Sequence, residues 1–123
     1  MPWILIALGG AGGAVTRYAV DSWVSSRFAS EYPLGTLLIN ISGSFLLGLL
    51  FALTVERALL PAEIRAPVMI GFIGAYTTFS TWMLESWRLV ESGAWAAAAV
   101  NLGGSVVLGM IAVVLGMIVG RSI

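Results

Sequence analysis

Long apolar stretches without a charged residue divide this chain into four parts. They cover residues 1–16, 32–55, 66–84 and 92–120. A helix rises about 1.5 Å per residue, so about 20 apolar residues cross the hydrocarbon of a bilayer. The last three stretches are long enough, and the first is long enough only if its helix continues past Arg17. The pattern predicts an all-α integral membrane protein, one domain over residues 1–123, with transmembrane helices near 3–25, 34–55, 66–88 and 94–119.

Composition agrees with that class and excludes several others. Hydrophobic residues make up 59% of the chain and charged residues only 10%, against about 25% charged in soluble domains. There is no cysteine and no histidine, which excludes disulfides, Cys/His zinc sites and histidine bases. The formal net charge is zero, so a nucleic-acid partner is not expected. No nucleophile–base pair or phosphate-binding glycine loop is present, and we do not expect an enzyme.

The arginines give four predicted helices almost no preferred orientation. The side that holds both termini carries Arg57, Arg65 and Arg121, and the opposite side carries Arg27 and Arg88. The positive-inside rule needs a larger bias to fix topology. Two interpretations stay open. In the first, a single arginine or the N-terminal amine fixes one orientation of the chain in the membrane. In the second, the chain inserts in both orientations, and two opposite copies form an antiparallel dimer, as inverted repeats do within one chain in transporters.

Small residues recur at a spacing of four in three of the predicted helices. Such pairs let helix backbones approach closely in lipid. They are Gly9 with Gly13, Ser44 with Gly48, Ser105 with Gly109, and Gly116 with Gly120. The spacing indicates helix association within the chain or between chains.

Polar side chains inside the predicted helices must find partners or line a wet path. Thr36 and Asn40 share one face of the second helix, and Asn101 and Ser105 share one face of the fourth. A serine or threonine commonly donates to the carbonyl four residues before it and does nothing more. The amide of Asn40 cannot be satisfied by its own helix, so it either joins helices or lines a path.

Four ionisable side chains stand near the ends of predicted spans. Arg17 and Asp21 are four residues apart and can form an ion pair. Alternatively, the aliphatic stem of Arg17 stays in the apolar region while its charged group snorkels to the membrane interface. Glu85 and Arg88 are three residues apart on the third helix and form a second candidate ion pair.

The third predicted helix carries a run of glycine and threonine. Gly71 and Gly74 lower helix propensity, and Thr77 and Thr78 compete for backbone hydrogen bonds. Together they predict a broken helix near 74–77, whose freed carbonyls can hold a cation. Alternatively, the two glycines are packing notches.

The polar inventory favours an anion as the transported species. Amide N–H and hydroxyl groups are donors, and the rim of an aromatic ring such as Phe79 or Trp82 is its positive part. Proton relays and cation exchange use buried ionisable groups, which mid-span positions lack here. Residue chemistry alone does not name the anion.

Three sequence blocks carry a resemblance to a known family. They are GGAGGAVTRY at 9–18, PLGTLLINISGSFLLG at 33–48 and GFIGAYTTFST at 71–81. In these blocks the chain resembles the CrcB/Fluc family of fluoride channels, in order and in overall length. The resemblance implies a passive, fluoride-selective channel of the cell (inner) membrane, built as a dual-topology antiparallel homodimer with two pores.

The resemblance also implies roles for particular residues. A structural Na⁺ at the dimer centre would be held by the backbone carbonyls of Gly74 and Thr77 from each chain. Phe79 would present its ring edge to fluoride and Asn40 its amide. Ser105 on the fourth helix and Thr36 on the second would continue the polar path, and Arg17 would belong to the vestibule or to an ion pair.

Three positions depart from the family pattern. Position 82 is Trp where the pattern has Phe, so its indole N–H can donate or its bulk can narrow the path. Asn101 stands where a tyrosine is expected, and Gly109 where a further hydroxyl is common.

Two other kinds of membrane protein are alternatives. A small multidrug-resistance transporter also has four short helices, but it needs a buried carboxylate in its first helix, where this chain has only Asp21 after Arg17. A structural subunit that only packs against a partner would tolerate replacement of Asn40 or Phe79.

Overall fold

The computed structural model describes residues 2–123 and contains helices without any strand in that range. Met1, which begins the predicted domain 1–123, lies outside the described residues. The helices are α1 (Pro2–Arg27), α2 (Leu34–Phe51), α3 (Arg65–Ile73 continued by Gly74–Tyr76), α4 (Phe79–Glu91) and α5 (Trp95–Ser122). A π-helical turn, Ala52–Glu56, extends α2, and Arg65–Ile73 is also wound as a π-helix. The all-α prediction is confirmed.

Within residues 2–123, three helices are long and apolar enough to cross a membrane. They are Pro2–Arg27, Leu34–Glu56 and Trp95–Ser122. These are the first, second and fourth predicted helices, with ends that lie within three residues of the predicted ones. The third predicted helix, near 66–88, is two helices in the structure, α3 and α4, which are separated at Thr77 and Thr78.

Both ends of α4 are fixed by local hydrogen bonds. At the start, the Thr78 hydroxyl accepts from the Thr81 N–H at 3.3 Å, as an N-cap does. At the end, Gly93 has φ +84°, a conformation that favours glycine. The N–H groups of Gly93 and Ala94 donate back to Val90 and Leu89 at 3.0 and 2.8 Å, which closes the last turn. The break therefore begins a separate, well-terminated helix.

Helix α1 packs against α3 through glycine. A Cβ atom at Gly9 would collide with the carbonyl of Pro67, and one at Gly13 would collide with the carbonyl of Phe72. Only glycine permits this approach of two backbones. The predicted association at the Gly9–Gly13 pair is confirmed within the chain.

Helix α2 packs against α5 in the same way. A Cβ at Gly48 would meet the carbonyl of Val113, and one at Gly116 would meet the carbonyl of Phe45. The described residues thus contain two close helix pairs, α1 with α3 and α2 with α5, and α4 packs on α5. The end of α3 and the break that follows it lie where the two pairs meet, because Ala75 is bonded by Arg17 of α1 and Thr78 by Asn40 of α2.

Large apolar side chains remain exposed along every long helix. On α5, Val107, Met110 and Trp95 are between 58% and 68% exposed. A soluble monomer rarely leaves so continuous an apolar surface uncovered. The surface fits contact with lipid tails or with another protein chain.

Candidate functional site

The break in the third predicted helix lies at Thr77 and Thr78. Thr77 has φ −80° and ψ 158°, and Thr78 has φ −149° and ψ 123°, so both residues are extended. The prediction placed the break near 74–77, but Gly74–Tyr76 is helical and the Thr77 N–H still donates to Ile73 at 3.0 Å. The glycine weakens the helix without ending it. The helix ends where the threonine side chains offer other hydrogen bonds.

Asn40 on α2 replaces the backbone hydrogen bonds that the break removes. Its Oδ1 accepts from the Thr78 N–H at 2.9 Å, and its Nδ2 donates to the Thr78 carbonyl at 3.1 Å. One carboxamide therefore bonds both the backbone N–H and the backbone carbonyl of a single residue. A second bond nearby joins the Ser42 and Tyr76 hydroxyls at 2.9 Å. Of the two sequence alternatives for Asn40, joining helices is thus observed directly.

The carbonyls of Gly74 and Thr77 lose the donors that a continuous helix would supply. The Thr78 N–H, four residues after Gly74, goes to Asn40 instead. The Thr81 N–H, four residues after Thr77, goes to the Thr78 hydroxyl. Backbone carbonyl oxygens are hard ligands that suit alkali and alkaline-earth cations. The donor set therefore fits the Na⁺ that the resemblance implies.

Arg17 reaches the same break from α1. Its Nε donates to the carbonyl of Ala75 at 3.2 Å, at the C-terminal end of α3. A cation in this position is favourable because helix carbonyls concentrate negative charge at a C-terminus. Arg17 does not pair with Asp21: the ion pair found in residues 2–123 joins Arg121 to Glu56, at 2.7 Å. In the single chain Arg17 thus binds the end of α3, and its pairing with Asp21 is not formed.

A cavity of about 370 Å³ lies beside the break and collects most of the predicted path residues. Its walls come from α2, the break, the start of α4, and α5. They are formed by Asn40, Gly43, Ser44, Leu47, Ile73, Thr77, Thr78, Phe79, Trp82, Ser105, Val106, Gly109, Met110 and Val113. The lining thus combines amide, hydroxyl and aromatic groups with aliphatic side chains, and it contains no ionisable residue.

Two aromatic rings stand together at this cavity. The rings of Phe79 and Trp82 meet edge to face, with centroids 5.6 Å apart and an interplanar angle of 83°. Phe79 is 70% exposed in the single chain. The Trp82 indole N–H donates to the backbone carbonyl of Asn101 at 3.0 Å, so it is already used inside the protein.

Thr36 lies outside this cavity. Its hydroxyl donates to the Glu85 carboxylate, and this bond replaces the expected pairing of Glu85 with Arg88. A second cavity, of about 260 Å³, is lined by Asp21 and Glu85 together with the α1–α2 loop. Arg88 and Glu85 also face a third surface cavity. Asp21, Glu85 and Arg88 thus line cavities other than the first one, whereas Arg17 reaches the end of α3.

The sequence singled out Asn101 for its place on the face of Ser105, but it did not single out Ser86 or predict that the two residues bond to each other. They are 1% and 3% exposed, and Asn101 Nδ2 donates to Ser86 Oγ at 2.8 Å. Ser86 lies four residues after Trp82, and this spacing was the one sign in the sequence that the two residues share a helix face. Its partner on α5 could not be deduced from spacing along one helix.

The helices and the cavity define a small helical membrane protein whose polar groups converge on a broken helix. A family model described as CrcB-like protein, Camphor Resistance (CrcB), matches residues 4–117. The chain belongs to this CrcB-like family.

Several named proteins are similar to this chain over nearly its whole length. "Fluoride-specific ion channel FluC" of Maridesulfovibrio salexigens is 44% identical over 121 residues, which cover 98% of this chain and 96% of that protein. The protein of the same name from Magnetococcus marinus is 45% identical over 118 residues, 96% of each chain. That of Acidobacterium capsulatum is 47% identical over 126 residues, 100% of this chain and 98% of that protein.

Proposed function

We propose that this protein is a fluoride-selective ion channel that lets fluoride leave the cell passively across the cell (inner) membrane. Membership of the CrcB-like family and the names of its relatives support the proposal. One structural observation carries it. Donor groups from α2, α4 and α5 converge on a single cavity that has no ionisable lining residue.

The chemistry of the cavity suits a small anion. One of the two Nδ2 protons of Asn40 is donated to the Thr78 carbonyl, so the second is available to bind an anion. Ser44 and Ser105 add hydroxyl groups, and Phe79 adds the positive rim of its ring. These donors can replace the water around fluoride, while the absence of a fixed positive charge lets the ion leave again.

The same cavity is unsuited to a proton-coupled transporter. Such a mechanism needs a buried acid or base in the path. Asp21, the carboxylate of the first helix, lines the second cavity and not the first. We place Asp21, Glu85 and Arg88 at the entrance of the path. Thr36 would lie between that entrance and Asn40, which follows one helical turn later.

We further propose that the conducting form is an antiparallel homodimer with dual topology and four transmembrane spans per chain. The near balance of arginines and the exposed apolar faces support this arrangement. Phe79, exposed in the single chain, is available to a pore completed by the second copy. A structural Na⁺ would be held at the dimer centre by the carbonyls of Gly74 and Thr77, whose helical donors are diverted.

The test is ion efflux from liposomes that contain the purified protein, with fluoride and chloride electrodes read in parallel. The proposal predicts fast fluoride release and little chloride release, and protein-free liposomes give the background. If a verified dimer releases no fluoride, Trp82→Phe decides the reason. If that variant releases fluoride, Trp82 closes the path in the wild type. If that variant also releases no fluoride, the proposed function is contradicted.

A further inference from the structure

Asn101 joins α5 to α4 through two hydrogen bonds made by different parts of the residue. Its side-chain Nδ2 donates to Ser86 Oγ at 2.8 Å, and its backbone carbonyl accepts from the Trp82 indole at 3.0 Å. Ser86 in turn donates to the Trp82 carbonyl at 2.8 Å. Trp82, Ser86 and Asn101 therefore form a closed ring of hydrogen bonds, the "Asn101 ring".

Asn101 and Ser86 lie behind the wall of the first cavity, and the third member of the Asn101 ring, Trp82, lies in that wall. Asn101 is 1% exposed and does not line the cavity, whereas Trp82 does. Asn101 also touches a second lining residue, because Ser105 Oγ donates to Asn101 Oδ1 at 3.5 Å. One buried carboxamide thus supports two residues of the cavity wall, one on α4 and one on α5.

We infer that Asn101 is a positioning residue for the anion path. It holds α4 in register with α5, and so it fixes the Trp82 ring and, through the edge-to-face contact, the Phe79 ring. This inference rests on the proposed function. The inference has a chemical consequence. Because the indole N–H donates to a backbone carbonyl, Trp82 presents only the C–H groups of its ring to the cavity. Trp82 therefore acts on an anion as an aromatic edge, not as a hydrogen-bond donor.

A double-mutant cycle tests whether Asn101 acts through Trp82. The variants are Asn101→Leu and Ser86→Ala, each made with Trp82 present and with Trp82→Phe. Losing one buried hydrogen bond corresponds to a change of about five- to tenfold. We expect both variants to lower fluoride efflux by about that factor when Trp82 is present, and by less than about twofold in the Trp82→Phe background. Equal losses in both backgrounds would overturn the inference.

A matched control separates positioning from general damage. Ser92→Ala removes a serine hydroxyl at the end of the same helix, where it bonds only to Leu89 of its own helix, at 3.0 Å. Fluoride efflux in Ser92→Ala should equal that of the wild type. Leucine is bulkier than asparagine, and the Asn101→Leu variant is prone to misfold. If it misfolds, the test rests on Ser86→Ala, which adds no side-chain volume.

A second readout does not depend on ion flux. The near-ultraviolet circular dichroism of the wild type minus that of Trp82→Phe isolates the band of the Trp82 ring. The Asn101 ring predicts that Ser86→Ala and Asn101→Leu reduce this band and that Ser92→Ala does not. An unchanged band would overturn the inference, whether or not the wild type conducts. Absence of wild-type fluoride efflux with a reduced band would instead contradict the proposed function alone.

Discussion

The carboxamide of Asn40 forms two hydrogen bonds with the backbone of Thr78, one with its N–H at 2.9 Å and one with its carbonyl at 3.1 Å. The pairing explains how a broken helix is tolerated at membrane depth. Each exposed backbone group would cost several kcal/mol in lipid, and the side chain of a neighbouring helix removes that cost. It also places the remaining Asn40 N–H beside the cavity. The residue that stabilises the break is thus the residue that we propose to bind the ion.

Asn40→Ala should therefore affect both stability and conduction. Two hydrogen bonds are lost, and the free energy of unfolding should fall by about 2 kcal/mol. Fluoride efflux should be abolished, since the break loses its support and the path loses a donor. The measurements are efflux from liposomes and thermal stability in detergent.

Asn40→Asp separates these two roles. The carboxylate still accepts from the Thr78 N–H, although it can no longer donate to the Thr78 carbonyl, and in the protein that folds its negative charge should repel fluoride and stop efflux. Efflux at the wild-type rate in Asn40→Asp would contradict a role for Asn40 in ion binding.

Phe79→Ile should lower fluoride efflux by about tenfold, because isoleucine keeps the bulk and removes the ring edge. Phe51→Ile is the matched control, since Phe51 is also an exposed phenylalanine on a long helix but does not line the cavity. That variant should conduct like the wild type. An unchanged rate in Phe79→Ile would discard the role of the ring.

Removal of Na⁺ should weaken the dimer. The Gly74 and Thr77 carbonyls would then face each other across the dimer centre without a cation. Size-exclusion chromatography in potassium or N-methylglucamine buffer should show a larger monomer fraction than in sodium buffer, with a parallel loss of efflux. Equal dimer fractions and equal efflux in sodium-free buffer would count against the cation site.

Arg17→Gln should destabilise the break. The charged hydrogen bond from Arg17 to Ala75 is partly buried, and such bonds contribute about 1.5–3 kcal/mol. Arg17→Lys should recover part of the loss, because it restores the positive charge at the C-terminus of α3 but not the guanidinium geometry. Arg27→Gln, at the exposed end of the same helix, is the control: it removes the same charge from a guanidinium that lies over the exposed Trp23 ring, 5.7 Å from its centroid, and away from the break. A thermal midpoint for Arg17→Gln equal to that of Arg27→Gln would contradict this role.

The regular parts of this fold follow from local sequence, and the site follows only partly. Uncharged stretches predicted the three long helices, because hydrocarbon thickness sets their length. The glycine–threonine run predicted the break, although it begins at Thr77 and not at Gly74, because glycine weakens a helix while a capping threonine starts a new one. The spacing of Gly9 and Gly13 predicted a close helix contact but could not name α3 as the partner.

Side-chain partners between helices were beyond the sequence. Glu85 and Arg88 share a helix face, yet Glu85 bonds to Thr36 on α2. The sequence left the partner of the Trp82 indole N–H open, and in the structure this group donates to the backbone carbonyl of Asn101. Spacing along one helix describes neighbours on that helix, whereas the partner of a buried polar group depends on how two helices pack.

The most direct test of the central claim is the reversal potential of the purified protein in a planar bilayer, with a tenfold fluoride gradient and equal chloride on both sides. A passive fluoride-selective path predicts a potential of about 59 mV, of the sign for an anion. The value should not change between pH 6 and pH 8, because the cavity has no ionisable lining residue. A potential near zero, or one that follows a pH gradient, would contradict a fluoride channel.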